Sequence, residues 1–205
     1  MNEIFQPYLH KFVLVFFDDI LVYSRTWADH LNHLRMVFSV LQQNELFLKE
    51  SKCSLAQSKI SYLGHIISAE GVMADAEKIE AMTQWPKPTT IRALRGFLGL
   101  TGYYRKFVHN YGLIATPLTN MLRKNSFTWT RESMAAFEHL KRAMTTTPVL
   151  ALPNFENDFS VECDASDYGM GVVLQQEGGP IAFYSKPMAQ RHIKLPTYEK
   201  ELIAL

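Results

Sequence analysis

The sequence predicts an α+β chain, and three stretches carry that prediction. Residues 12–23, Phe12-Val13-Leu14-Val15-Phe16-Phe17-Asp18-Asp19-Ile20-Leu21-Val22-Tyr23, are apolar and mostly β-branched or aromatic apart from two adjacent carboxylates. That is the pattern of a buried antiparallel hairpin with an acidic tip. Residues 91–108 repeat apolar side chains at helical spacing, with a second arc of cations and glycines. Residues 159–185 hold three strand-like runs separated by turn residues, and a helix starts after Leu195-Pro196-Thr197. At 205 residues, 47% apolar and 20% charged, the chain has the composition of a soluble globular protein of one to three compact units.

No apolar run approaches the roughly 20 residues of a membrane span, and the start lacks a signal-peptide pattern. An intracellular setting, cytoplasmic or nuclear, is therefore expected. Cys53 and Cys163 lie far apart without zinc spacing and are expected as reduced core residues. The net charge of +1 conceals a segregation: residues 76–124 hold 8 Lys/Arg against 2 Glu, and residues 155–205 hold 8 acids against 4 bases. The first stretch is built to meet an anion and the second could hold cations.

Two like charges between apolar strands repel each other, so a cation is their natural partner, and paired oxygen donors suit Mg²⁺; ordinary turn chemistry is the alternative. After the hairpin, Thr26 can cap a helix with Asp29 in its first turn. Leu31, Leu34, Phe38 and Leu41 recur at helical spacing, so this helix is expected to cover one face of the hairpin. His30 and His33 lie one turn apart and, with no third ligand in sight, are expected as a solvated or core-edge pair. A polar, lysine-bearing stretch gives way to a second hairpin over Ile60–Ser68, followed by Glu70-Gly71.

Ala76 to Trp85 can form a short helix, stopped by Pro86-Lys87-Pro88. Thr90 opens a longer one, expected over Ile91–Val108, whose apolar arc includes Leu94, Phe97, Tyr104 and Phe107. The opposite arc carries Arg92, Arg95, Gly96, Gly99, Gly102 and Lys106, with Tyr103 at its edge. Each glycine costs a helix about 1 kcal/mol relative to Ala, so three on one face call for a reason. Cations beside the glycines fit the approach of a sugar-phosphate backbone; helix packing with solvated charges is the alternative. A further helix is expected over Arg131–Met144. In Phe159–Asp164 the alternation turns Asp164 away from the face carrying Phe159 and Val161.

Phe16-Phe17-Asp18-Asp19 resembles the aromatic-x-Asp-Asp motif of reverse transcriptases, with Phe16 where a Tyr is usual. The run Val15 to Ser24 resembles the palm hairpin of gypsy-type LTR retrotransposon polyproteins. Tyr62-Leu63-Gly64-His65-Ile66 is similar to the primer grip, with a plain edge hairpin as the alternative, and the basic helices resemble a polymerase thumb. Cys163-Asp164-Ala165-Ser166 and Glu199-Lys200-Glu201-Leu202 resemble the first two catalytic motifs of ribonuclease H.

The resemblance implies a partial palm over residues 1–75, a helical thumb over 76–126, a connecting helix and linker over 127–157, and the truncated start of an RNase H-like α/β domain over 158–205. It implies catalytic and metal-binding roles for Asp18, Asp19, Asp164 and Glu201, with Mg²⁺ or Mn²⁺. It also adds Phe16, Tyr62, Leu63, Gly64 and His65 to the nucleic-acid contacts of the glycine-rich arc. The implied partners are primer-template nucleic acid, an RNA/DNA hybrid and dNTPs.

The same resemblance asks for a further Asp in the polymerase site and two more carboxylates in the nuclease site. The expectation is an internal piece of an RNA-directed DNA polymerase with RNase H, without turnover of its own. A catalytically inactive nucleic-acid-binding remnant is the alternative, and a structural module with incidental acids fits the charge segregation poorly.

Overall fold

Burial of the β-branched run around Val13 sets the first part of the chain. In the computed structural model, which describes residues 1–204, the chain divides into a unit of residues 1–62 and a second from Leu63 onward. The first unit begins with a short helix α1 (Asn2–Phe5), followed by β1 (Val13–Phe16) and β2 (Asp19–Val22), which pair antiparallel with Val13 opposite Val22 and Phe16 opposite Asp19. Helix α2 (Trp27–Gln43) starts at Thr26, whose side chain accepts from the Asp29 amide at 3.1 Å, as the sequence predicts. Phe5, Phe12, Val13, Val37 and Leu41 form the core, with Val15, Ile20 and Val22 against it, so α2 covers one face of the hairpin.

Two expectations change in detail. The buried stripe of α2 is Val37, Val40 and Leu41, whereas Leu31 and Phe38 are exposed, because the covered arc of the helix runs through His33, Val37, Val40 and Leu41 and leaves those two to one side. The hairpin is buried at its base and open at its tip, where Phe17 is 79% exposed. His30 and His33 form the expected core-edge pair: both Nδ1 atoms lie within hydrogen-bond reach of Ser24 Oγ, and the His33 ring stacks on Phe12 at 3.8 Å. The unit ends in β3 (Lys59–Tyr62).

The second unit opens with β4 (His65–Ser68) and β5 (Gly71–Ala74), an antiparallel pair in which Ser68 faces Gly71. The strand after Gly71 is additional to the hairpin expected from sequence. Helix α3 (Ala76–Thr83) is capped by Asp75, which accepts from the Glu77 amide at 2.9 Å. Helix α4 is capped by Thr90 as predicted but spans Ile91–Tyr103 rather than reaching Val108. A 3₁₀ turn at Arg105–Phe107 takes over, and with it Tyr104, Phe107 and Val108 turn into the core; Lys106 therefore lies beyond the helix.

Helix α5 (Tyr111–Asn120) and helix α6 (Arg131–Thr145) complete the bundle, the latter opened by a reciprocal Thr130–Ser133 cap. Met82, Leu94, Phe97, Leu118, Phe137, Leu140 and Met144 are buried together. The chain then passes between two sheets. Leu150 exchanges backbone hydrogen bonds with Val72 at 2.8 and 2.9 Å, and the Ala151 amide donates to the Pro180 carbonyl at 2.8 Å.

The last sheet has the antiparallel order β6 (Ser160–Ala165), β7 (Gly169–Gln176) and β8 (Gly179–Pro187), and α7 (Thr197–Ala204) packs on β6 and β7. Phe159 and Val161 are exposed on or beside the edge strand. The cysteines are free as expected but only half-buried: Cys53 follows an exposed 3₁₀ turn and Cys163 lies on β6.

Gly71 has φ of 134°, and a Cβ there would come within 2.2 Å of the Leu150 carbonyl oxygen. A Cβ at Gly99 would meet nothing within 4 Å. Urea denaturation should therefore separate the two: Gly71→Ala is expected to lose about 2 kcal/mol or more, and Gly99→Ala to gain about 0.5–1 kcal/mol. Equal responses would show that neither glycine is read correctly.

Candidate functional site

The acidic hairpin tip is built by register. Because Phe16 pairs with Asp19, the two-residue turn is Phe17-Asp18, with Phe17 in the left-handed region at φ of 51°. Asp19 is thus the first residue of β2 rather than part of the turn, and alternation puts it with Phe16, Leu14 and Leu21, on the face turned away from the Val13 and Val22 side chains. Both carboxylates are exposed, beside the exposed rings of Phe16 and Phe17. Burial raises the pKa of the Tyr62 hydroxyl, and the negative charge of Asp19 adds to the rise, so β3 brings this phenol into the electrostatic reach of the hairpin.

Two exposed carboxylates suit a Mg²⁺ ion, which keeps most of its waters and is commonly bound through one or two acids. Among the described residues, no group of three or more His, Cys, Asp or Glu side chains gathers here or elsewhere. The donor set thus fits a loosely held hard cation and not a closed cage.

In the second unit, α4 presents Arg92, Arg95, Gly96 and Gly99 to solvent. The three glycines differ in their surroundings. A Cβ would lie 3.6 Å from the Trp85 ring at Gly96 and 3.4 Å from the Tyr111 hydroxyl at Gly102, both ordinary or slightly tight side-chain contacts, while Gly99 is open. No protein backbone approaches this face closely at any of the three. Lys106 differs from the two arginines: it is half-buried, its Nζ lies 5.3 Å from the Phe107 ring centre, and burial lowers its pKa.

The Leu63-Gly64 turn has φ of 50° and 71°, and the end of α4 grips it. Tyr103 Oη donates to the Leu63 carbonyl and Tyr104 Oη to the Gly64 carbonyl, each at 2.6 Å. The His65 ring stacks on Tyr103 at 5.3 Å and meets Tyr104 edge-on at 5.6 Å. Its Nδ1 is buried with no hydrogen-bond partner among the described residues. Burial, and secondarily the charge of Lys106, lowers the His65 pKa to about 4, so the ring is neutral at pH 7. Burial pushes the Tyr104 hydroxyl up to about 12, with Tyr103 and Asp75 adding to the rise. The sequence places Tyr103 only at the edge of the basic arc; two adjacent tyrosines near a helix end are the one hint of this grip.

Asp164 lies exposed on β6 opposite Gly171, and Glu201 is half-buried on α7. Packing of α7 on β6 brings the two elements together. Next to Glu201, Lys200 is only 5% exposed and pairs with the Asp167 carboxylate in the loop after β6. Sequence reading overlooks that ion pair because α7 and the loop are 33 residues apart.

Comparison with known proteins covers both ends of the chain. A sequence profile described as reverse transcriptase (RNA-dependent DNA polymerase) matches residues 1–67, and one described as an RNase H-like domain found in reverse transcriptase matches residues 129–205. The chain is 40% identical over 207 residues to the retrovirus-related Pol polyprotein from transposon 297 of Drosophila melanogaster, an alignment covering 100% of this chain and 20% of that protein. The corresponding protein from transposon gypsy of the same organism is 30% identical over 218 residues, covering 100% of this chain and 21% of that protein. An uncharacterized mitochondrial protein of Arabidopsis thaliana is 53% identical over 131 residues, covering 63% of this chain and 83% of that protein. The chain thus spans about a fifth of the length of the Pol polyproteins it matches.

Among solved structures, a foamy viral protease-reverse transcriptase in complex with double-stranded DNA superposes with a TM-score of 0.91 at 25% identity, covering 99% of this chain and 36% of that one. A complex of the foamy viral protease-reverse transcriptase with RNA/DNA hybrid gives a TM-score of 0.87 at 25% identity, covering 99% of this chain and 28% of that one.

The low His65 pKa has a consequence for folding. The unfolded imidazole takes up its proton near 6.5 and the folded one only near 4, so stability from this ring is complete above about 6.5 and is lost as the pH falls through about 4. The melting temperature should decline between pH 7 and pH 4, and more shallowly in His65→Phe, which keeps a ring but cannot titrate. Parallel declines would show that His65 is not the group responsible.

Proposed function

We infer that this chain, which belongs to the reverse transcriptase and RNase H-like family of retrotransposon Pol polyproteins, is the nucleic-acid-holding part of an RNA-directed DNA polymerase with an attached RNase H-like domain. In this reading residues 1–75 are the later palm, 76–126 the thumb, 127–157 a connector, and 158–205 the start of the RNase H-like domain. The observation that carries it is the solvent-facing arc of α4, where Arg92 and Arg95 precede Gly99, whose missing Cβ leaves open space. A sugar-phosphate backbone can approach such a face closely and find its charge neutralised there. The bound species would be a primer-template duplex or an RNA/DNA hybrid, the kinds of nucleic acid in the foamy viral complexes.

Asp18 and Asp19 are the residues proposed to hold Mg²⁺ or Mn²⁺ in the polymerase half, and Asp164 and Glu201 in the nuclease half, where a dNTP or a hybrid strand would be the reacting partner. When bound, such ions stabilise charge developing on the attacking and leaving oxygens. The chain's own contribution is to orient: the β1–β2 turn aims the two acids, Phe16 and Phe17 offer rings beside them, and Tyr62-Leu63-Gly64-His65 holds a strand end. The shortage of a third acid near either pair among the described residues favours a second reading, a nucleic-acid-binding chain without turnover.

Binding of a labelled duplex should be salt-dependent, log K falling with log salt at a slope of about −2 to −3 for roughly two to three neutralised phosphates. Arg92→Ala and Arg95→Ala are each expected to reduce the slope by about 1, and the half-buried Lys106 by less. Gly99→Ala, stabilising to the fold, should weaken binding. Salt-independent binding, or full affinity in the double arginine variant, would sink the interface.

Mn²⁺ titration should give a weak event, in the millimolar range, that disappears when Asp18→Asn and Asp19→Asn are combined. Primer extension and hybrid cleavage by this chain alone should stay at the level of the Asp18→Asn and Asp164→Asn controls with either ion. A tight site surviving the double change would mean that the acids are misassigned, and turnover above the controls would overturn the inactive reading.

A further inference from the structure

Two adjacent tyrosines at the end of α4 bind two adjacent carbonyls of a turn 40 residues earlier in the chain. Left-handed backbone at Leu63 is unfavourable for a side chain of that size, so the turn needs outside support. The support is specific. Each hydroxyl has its own carbonyl, and the stacked His65 ring fills the space behind Tyr103 and Tyr104. A Cβ at Gly64 would stand 2.9 Å from the Tyr104 hydroxyl, so close seating of that phenol relies on glycine there. Tyr104 is buried and anchors the helix end in the core, whereas Tyr103 is half exposed at the end of the arc that carries Arg95 and Gly99.

Tyr103 thus belongs to both surfaces, the basic face of α4 and the turn. We propose that Tyr103 and Tyr104 are positioning residues that lock the Leu63-Gly64 turn to α4, so that a duplex lying on the arginine face and a primer end held at the turn stay in one register. This rests on the nucleic-acid reading above. The hydroxyls contribute through the turn and not by contact with a phosphate, so their loss acts on where the strand end sits more than on how tightly the duplex binds.

The test uses the full chain with Tyr103→Phe and the Tyr103→Phe/Tyr104→Phe pair, which keep the rings and remove the hydroxyls. In the free protein, amide hydrogen exchange at residues 63–67 should be about ten-fold faster in the double variant, while that of α6 stays unchanged. With a recessed duplex carrying 2-aminopurine at the primer 3′ terminus, wild type should shift the probe's fluorescence. The variants should lose most of that shift while affinity falls by less than about three-fold, a loss of the size that neutral hydrogen bonds permit. An internal 2-aminopurine should respond alike in all three proteins.

Unchanged exchange at the turn would overturn the lock, and an undiminished terminal signal would overturn the positioning role. A wild-type chain that binds no duplex would overturn the nucleic-acid reading and the register with it, while the exchange result would still decide whether the tyrosines hold the turn. Tyr103→Phe alone covers the case in which the buried Tyr104 variant fails to fold, since Tyr103 is half exposed.

Discussion

The basic face that the second unit turns to solvent depends on the rotation of α4 about its own axis, and packing fixes that rotation. Phe97 meets Phe137 of α6 at 4.7 Å between ring centres, and Leu94 and Tyr104 lie on the same buried side. With that side committed, the helical period leaves Arg92, Arg95 and Gly99 no place but solvent. A helix turned by half a step would bury a guanidinium without a partner, at a cost that no apolar gain there could offset. The charge of the face is therefore a by-product of the core, and a core substitution such as one at Phe97 would act on the surface without touching it.

The hairpin of the first unit works by a similar logic in a strand. Pairing Val13 with Val22 buries one face against the helices, and the period of two then sends Phe16 and Asp19 to the other. A slip by one residue would exchange the faces and bring the acids toward the apolar core. Their exposure is what leaves them available to a hydrated cation, since a buried like-charged pair would take up a proton instead.

What was legible in the sequence was local. Thr26, Thr90 and Thr130 stand just before their helices, and each cap is made within three residues, so the helix starts follow from neighbouring side chains alone. The acidic hairpin and the strand-rich end are legible for the same reason. The helix end at Tyr103 was not, because Tyr104, Phe107 and Val108 fit a continuing helix equally well until the core claims them. The exposed Leu31 and Phe38 also follow the helical period, but the arc of α2 that is covered runs through His33, Val37 and Leu41 and leaves them to one side. The contacts of Tyr103 and Lys200 were out of reach of periodicity, since a hydroxyl on a distant carbonyl and an ion pair across 33 residues leave no periodic trace.

The backbone bridge between Val72 and Leu150 also bears on the order in which the chain can assemble. A ribosome makes β5 before it makes its partner, with nearly the whole helical bundle in between, and at roughly 5–20 residues per second the gap is on the order of 4–16 seconds. During that interval the outer edge of β5 has its amides and carbonyls open to any other strand. Leu150 then supplies the missing neighbour, and Ala151 can join β8 only once Pro180 has been made in turn. The nascent chain is thus most vulnerable to wrong pairing while the bundle is being synthesised, and anything that slows translation between residues 75 and 150 lengthens that exposure.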